Sequence, residues 1–327
     1  MEAKRRNPEA VARCIREART IAVVSHVNPD GDTIGSAAAM RLILEAMGKE
    51  VSLFCDGKVP DLMSFLPGAE LFREPEGNEG PFDLLLSVDV SDVNRLGNCA
   101  ALIEKSRHTA QIDHHETNPL FAEVNSVDAS ASATCILIYE QMETLGVPLT
   151  KDIAVCLYTG ISTDTGNFAF PLTNAEAFRI MGDLMEHGLP LAELNRILFR
   201  VKPRPQAKLI GRALEKLQFR GNGTIAVIKL TQEDFSDCGA TPQHADTVVN
   251  YGLDTVGTDM AVLVREADDG KAKFSLRARK PFTVDDVARR FGGGGHAQAS
   301  GITMDGALDE CLEAVLKAME EKTSGHS

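Results

Sequence analysis

From residue 21 onward, short apolar runs alternate with longer stretches in which apolar residues recur at helical spacing. The segments IAVVS (21–25), KEVSLFC (49–55), FDLLLSVDV (82–90), TAQIDHH (109–115) and AEVNSVD (122–128) have the length and apolar, β-branched content of strands. Helical spacing marks 33–48, 130–146, 151–162, 173–188 and 191–200, and glycine closes the first two. Strands alternating with helices predict an α/β chain whose N-terminal part is a doubly wound, mainly parallel sheet.

After VKPRPQ (201–206) and the helical KLIGRALEKL (208–217), the pattern changes. TIAVIKLT (224–231), DMAVLVRE (259–266) and KAKFSLRARK (271–280) read as strands, the last two joined through an ADDG turn, with helices over 284–291 and 307–320. These features predict a catalytic unit over 1–190, a helical linker over 191–220 and a smaller α/β domain over 221–327.

Composition narrows the class. A length of 327 residues with 43% hydrophobic content suits two medium domains with sizeable cores. No apolar run approaches the ~18 residues of a membrane span. MEAKRRNPEA has basic residues but no apolar stretch behind them, so no secretion signal is read and a cytoplasmic protein is expected. The formal charge of −13 argues against a protein that coats long duplex nucleic acid, yet short anionic substrates remain open, because bound cations add positive charge locally. Seven cysteines lie scattered without a CxxC pair, which reads as small core residues rather than disulfides or a zinc site.

The candidate chemistry sits at predicted strand ends. His26, Asp30 and Asp32 follow IAVVS; Asp89 ends LLLSVD; Asp113, His114 and His115 follow TAQI; Asp164 lies in GISTDTGNF, read as a fourth such end. Each alone also reads as a helix cap or turn residue. Together they point to one site, since binding sites in open α/β sheets gather beyond the carboxyl ends of the strands. Imidazole and carboxylate donors without thiolate suit divalent manganese, ahead of iron, cobalt, zinc or magnesium. Four aspartates and two histidines exceed one ion's usual set, so two ions sharing a carboxylate are expected, as in phosphoester hydrolysis.

Two further features lie near the C-terminus. RRFGGGGHAQASG (289–301) has four consecutive glycines, poor material for helix or strand interiors, whose bare amides can approach a phosphate or ribose. In FSLRARK, Arg277 and Arg279 fall on one strand face, and arginine matches phosphate geometry, although a solvated basic face has the same pattern.

The ordered set His-x3-Asp-x-Asp (26, 30, 32), Asp89, Asp-His-His (113–115) and Asp164 resembles the DHH phosphoesterases, and GGGGHAQASG looks like the glycine motif of their associated C-terminal domain. The resemblance spans nearly the whole chain. Its length and motifs look like the branch of bacterial oligoribonucleases (nanoRNases) and 3′-phosphoadenosine-5′-phosphate phosphatases. It implies one metal ion on His26, Asp30 and Asp89, and a second on Asp32, Asp89, His114 and Asp164. It further implies that Asp89 bridges, that His115 acts as an acid or charge stabiliser, and that Asp113 orients a histidine. Arg277, Gly293, Gly294, Gly295 and His296 would hold the terminal nucleotide, with the active site in an interdomain cleft.

The expected activity is that of a manganese-dependent exonuclease-type hydrolase, in which a metal-bridging hydroxide attacks short oligonucleotides or linear dinucleotides such as pApA. Release of AMP from 3′-phosphoadenosine 5′-phosphate is a related expectation, and magnesium or cobalt could substitute. The competing readings are an inorganic pyrophosphatase or polyphosphatase, and a dinucleotide sensor without turnover. No membrane partner is expected, and a homodimer is left open.

Overall fold

A computed structural model describes residues 6–267 and 269–323. The chain divides into two compact units, Met1–Val201 and Lys202–Ser327.

The first unit begins with a helix outside the sequence expectations, α1 (Pro8–Glu17), started by an Asn7 side-chain cap and Pro8. Then come β1 (Thr20–Val24), α2 (Gly31–Ala46), β2 (Glu50–Phe54), β3 (Phe82–Val88), β4 (Ser106–Asp113) and β5 (Val124–Val127). The helices α3 (Thr134–Leu145), α4 (Lys151–Asp164), α5 (Ala175–Glu186) and α6 (Leu191–Asn195) follow, and a wider helical turn over Arg196–Arg200 ends the unit. The strands pair in the order β2-β1-β3-β4-β5, all parallel.

This sheet is buried on both faces, as its near-continuous apolar strands require. Ile21, Val23, Leu84, Leu86 and Ile112 face the main core with α1 to α5. Ala22, Val24 and Leu85 face a smaller core closed by Leu96, Cys99 and Leu102. Those three lie in 3₁₀ turns over Val93–Leu102, so the second face is covered without a regular α-helix.

The strand order reverses direction between β1 and β3. In a 2-1-3-4-5 sheet the crevice beyond the carboxyl ends of these two strands is where ligands bind, because the connecting segments diverge there. His26 follows β1 and Asp89 follows β3.

Asp164 departs from the sequence expectation. It is the last residue of a helix, α4, rather than the end of a strand. The helix is buried from Ile153 to Ser162, and a helix without a polar face shows the same continuous apolar run as a buried strand.

The second unit contains α7 (Arg204–Glu215), β6 (Gln218–Arg220), β7 (Ile225–Leu230), α8 (Gln232–Cys238), α9 (Val248–Leu253), β8 (Met260–Glu266), β9 (Ala272–Ala278), α10 (Asp285–Arg290), β10 (Gly294–His296), β11 (Ala299–Met304) and α11 (Leu308–Thr323). Its sheet runs β10-β11-β9-β8-β7-β6, antiparallel except between β7 and β8. Helices α10 and α11 cover one face and α7 to α9 the other.

Among the described residues no helix is long and apolar enough to cross a membrane. All seven cysteines are free, and six are buried.

Candidate metal centre

The centre is assembled from the three loops that follow β1, β3 and β4, together with the first turn of α2 and the last turn of α4. His26 stands with Nε2 3.7 Å from Asp30 Oδ2 and 3.5 Å from Asp89 Oδ2. His114 Nε2 lies 3.9 Å from Asp32 Oδ2, 3.7 Å from Asp89 Oδ1 and 3.3 Å from Asp164 Oδ2. Asp89 therefore turns one oxygen to each histidine.

Both imidazoles are oriented by backbone carbonyls. His26 Nδ1 is 2.8 Å from Val27 O and His114 Nδ1 is 3.2 Å from Ala131 O. A carbonyl can only accept, so each Nδ1 bears the hydrogen and each Nε2 is left to the acidic cluster.

The carboxylates are set by backbone amides. Asp30 caps α2, its Oδ1 accepting from Asp32 N and Thr33 N at 3.1 Å each, while Oδ2 turns to His26. One aspartate thus carries both the capping role and a place in the cluster. Asp32 does not cap its own helix. Its Oδ2 and Oδ1 accept from Thr134 N (2.6 Å) and Cys135 N (3.0 Å), capping α3 from another element. Asp89 has a left-handed backbone, φ 60°, which a non-glycine residue adopts at some cost and which recurs at functional sites.

Close helix packing brings Asp32 to Asp164. A Cβ on Gly160 would stand 2.6 Å from Asp32 Oδ1, and one on Gly35 would stand 2.6 Å from Cys156 O. The two glycines let α2 and α4 approach at the level where each carries its aspartate.

His115 differs from the other two histidines. Its Nδ1 is 2.8 Å from Asp113 Oδ1, and Asp113 Oδ2 accepts from Asn118 Nδ2 at 2.6 Å. With Nδ1–H committed to Asp113, the free nitrogen of this partly exposed ring is Nε2. Asp89, His114 and His115 also lie close enough to form a third grouping around one cation, but that grouping through Nδ1 competes with the Asp113 bond.

In the second unit Arg277 lies on β9, with Nη1 donating to Leu276 O at 3.0 Å. Burial lowers the guanidinium pKa, and the charge of Asp246 opposes that shift. The glycine run forms part of a strand, contrary to the sequence expectation: Gly294, Gly295 and His296 make the edge strand β10 against β11. An edge strand of three residues pairs on one side only, so it tolerates glycine where a central strand would not. Gly293 and Gly295 are needed by this hairpin, since a Cβ at either would strike the backbone of 299–302. Gly294 has no positive φ, and nothing lies within 4 Å of its Cβ direction. His296 is exposed.

Residues 20–161 match the DHH family, N-terminal domain, and residues 222–325 match the DHHA1 domain. A Thermus thermophilus protein named bifunctional oligoribonuclease and PAP phosphatase NrnA is 34% identical over 92% of this chain and 90% of its own. The chain belongs to the DHH family. A Bacillus subtilis protein of the same name is 28% identical over 87% of this chain and 89% of its own. Among solved structures, an exopolyphosphatase-related protein from Bacteroides fragilis aligns with a TM-score of 0.89 at 24% identity, covering 97% of this chain and 96% of that one. RecJ from Thermus thermophilus in complex with Mn2+ aligns at 0.54 and 18%, covering 96% of this chain and 54% of that one. These structural likenesses speak to the fold.

The electrostatics of this DHH centre fit divalent cations. Burial would lower the His26 pKa, but hydrogen bonds to Asp30 and Asp89 outweigh it and raise the value to about 10. His114, likewise opposed by burial, is raised to about 9 by the charges of Asp32, Asp89 and Asp164. Burial followed by the neighbouring acids Asp89 and Asp164 pushes Asp32 well above the carboxylate range. Burial, with Asp89 and Asp30 adding to it, raises Asp164 to about 6. Crowded carboxylates of which two, Asp32 and Asp164, favour their protons are what a site for positive charge looks like without that charge. The groupings His26–Asp30–Asp89 and Asp32–His114–Asp164 each offer three donors within 4.8 Å of one another.

Sequence reading overlooked three residues here. Thr134 donates its hydroxyl to Asp89 Oδ1 at 2.9 Å; Asn118 holds Asp113; Arg95 lies against His26, Nη2 to Nδ1 3.1 Å. Thr134 and Asn118 lie 45 and 5 residues from the side chains they hold, and no local motif flags either.

Proposed function

We propose that this chain is a metal-dependent phosphoesterase that hydrolyses short oligonucleotides and linear dinucleotides such as pApA to mononucleotides, and releases the 3′-phosphate of 3′-phosphoadenosine 5′-phosphate. The observation that carries this reading is the placement of Asp89, with one oxygen toward His26 and Asp30 and the other toward His114. Relatives named oligoribonuclease and PAP phosphatase support the substrate class.

Two divalent cations, manganese first by donor chemistry, would supply Lewis-acid polarisation of phosphoryl oxygens and acidify water toward neutral pH. His26, Asp30 and Asp89 would hold one, and Asp32, Asp89, His114 and Asp164 the other. The chain's own residues do the rest. Asp113 fixes the His115 ring, and its hydrogen bond raises the His115 pKa. The protonated form of His115 is thereby favoured, and Nε2–H would give its proton to the departing oxygen. In the C-terminal domain, Arg277, Gly293, Gly294, Gly295 and His296 bind the phosphate or sugar of the terminal nucleotide.

The test is a chromatographic time course with purified protein, manganese and pApA, run beside Asp89→Ala. AMP from the wild type alone is expected. If neither protein releases AMP from pApA or from 3′-phosphoadenosine 5′-phosphate, the reading fails.

A further inference from the structure

We infer that Arg95 is a phosphate-binding residue of this centre, contacting non-bridging oxygens of the phosphoryl group under attack. The inference rests on the reading of the centre as a phosphoesterase site.

Arg95 lies in the turns that follow β3, six residues beyond Asp89, and its position is built. Arg95 O accepts from Val27 N at 2.8 Å, joining the loop after β3 to the loop after β1. The turn is also pinned at Gly97, whose φ of 55° suits glycine and whose Cβ would strike Asp56 Oδ2. Asn98 N donates to the same carboxylate oxygen at 2.8 Å. This frame sets the half-buried guanidinium beside the His26 ring, with Nη2 3.1 Å from Nδ1.

That contact does not satisfy the guanidinium. Nδ1 also faces Val27 O at 2.8 Å, so it engages at most one of the five guanidinium N–H donors, and none in the tautomer that gives its hydrogen to the carbonyl. Among the described residues Arg95 forms no ion pair, although carboxylates surround the neighbouring histidine. A guanidinium held at an acidic centre without a carboxylate partner has donors to spare, and its planar fork fits two phosphoryl oxygens.

Charge balance points the same way. The positive charge of two divalent cations is matched by the four carboxylates of Asp30, Asp32, Asp89 and Asp164, leaving little net attraction for an anionic phosphodiester. Arg95 supplies a cation at that place, and donors held in a fixed geometry stabilise charge developing on the phosphoryl oxygens.

The full chain, loaded with manganese, tests this through Arg95→Gln and Arg95→Lys. Binding of inorganic phosphate is measured by calorimetry and manganese affinity by the spin-resonance signal of the free ion, with pApA kinetics alongside. The expected result is phosphate binding at least tenfold weaker in Arg95→Gln, partial recovery in Arg95→Lys, and unchanged manganese affinity. Unchanged phosphate affinity in Arg95→Gln overturns the inference. A parallel fall in manganese affinity also overturns it, since Arg95 would then act by positioning His26. If Arg95→Gln fails to fold, Arg95→Lys decides: its bidentate fork is lost, so undiminished phosphate affinity counts against the inference. Wild type that binds phosphate but leaves both pApA and 3′-phosphoadenosine 5′-phosphate intact would refute the proposed function without touching the Arg95 comparison.

Discussion

Thr134 Oγ1 donates to Asp89 Oδ1 at 2.9 Å, from the first turn of α3 to the residue that ends β3. The bond fixes the rotation of a buried carboxylate that faces two histidines, a role in which outer partners typically matter about 10–100-fold. Thr134→Val keeps the shape and removes the donor. Its kcat on pApA should fall by about 10–100-fold, while the helical circular dichroism stays unchanged. An unaltered kcat would show that the hydroxyl does not orient Asp89.

Gly160 is the second lever on the centre. In Gly160→Ala the added methyl would press on Cys135 Sγ and Asp32 Oδ1, in a buried crossing with no exit. Overpacking of this kind costs about 1–3 kcal/mol. A lower melting temperature together with weaker manganese binding is expected, because the same methyl displaces Asp32. Thermal melts with and without manganese measure both; a melt shift with intact metal affinity would separate packing from the site.

Metal binding should expel protons. In the metal-free protein His26 and His114 hold protons up to about pH 10 and 9, above their usual 6.5. Their contribution to folding stability is complete below pH 6.5 and is lost as pH rises through those values. Asp164, raised to about 6, loses its contribution between about pH 4 and 6. Cations compete with these protons, so stabilisation by manganese should grow from pH 6 to pH 8.5. Titration calorimetry at pH 7.5 in buffers of different ionisation enthalpy should register proton release from both imidazoles. Heats independent of buffer would contradict the protonated imidazoles.

The glycine motif separates into structural and binding positions. Gly293→Ala should destabilise the C-terminal domain, because its methyl meets the Gly301 carbonyl. Gly294→Ala has open space around it and an unexceptional φ, so its melting temperature should hold while KM for pApA rises. Equal KM values for Gly294→Ala and wild type would remove that amide from the substrate site.

Much of this was legible along the chain because the signals are periodic or local. The five strands of the first sheet announced themselves as apolar runs, and six centre residues stood at predicted element ends. Asp164 reads as a strand end but closes helix α4, because an all-buried helix imitates a buried strand, neither needing a polar face. Helix α1 lies outside the segments that periodicity marks, although Asn7 and Pro8 form a start signal. Strand β10 was hidden by composition, because edge pairing in a hairpin asks little of side chains.

By itself the sequence determined which residue types stand at the ends of β1, β3 and β4. It thereby determined the family and the donor chemistry, since motif identity and strand periodicity are properties of neighbouring residues. Only the tertiary structure decided which aspartate caps which helix, which nitrogen of each histidine is free, and which side chains steady Asp89 and Asp113. Those outcomes depend on contacts between elements as distant as Asp32 and Thr134, where the acceptor is a side chain and the donor a helix end 102 residues away. A one-dimensional pattern does not specify such pairings; they follow when the glycines at 35 and 160 allow α2 and α4 to close upon each other.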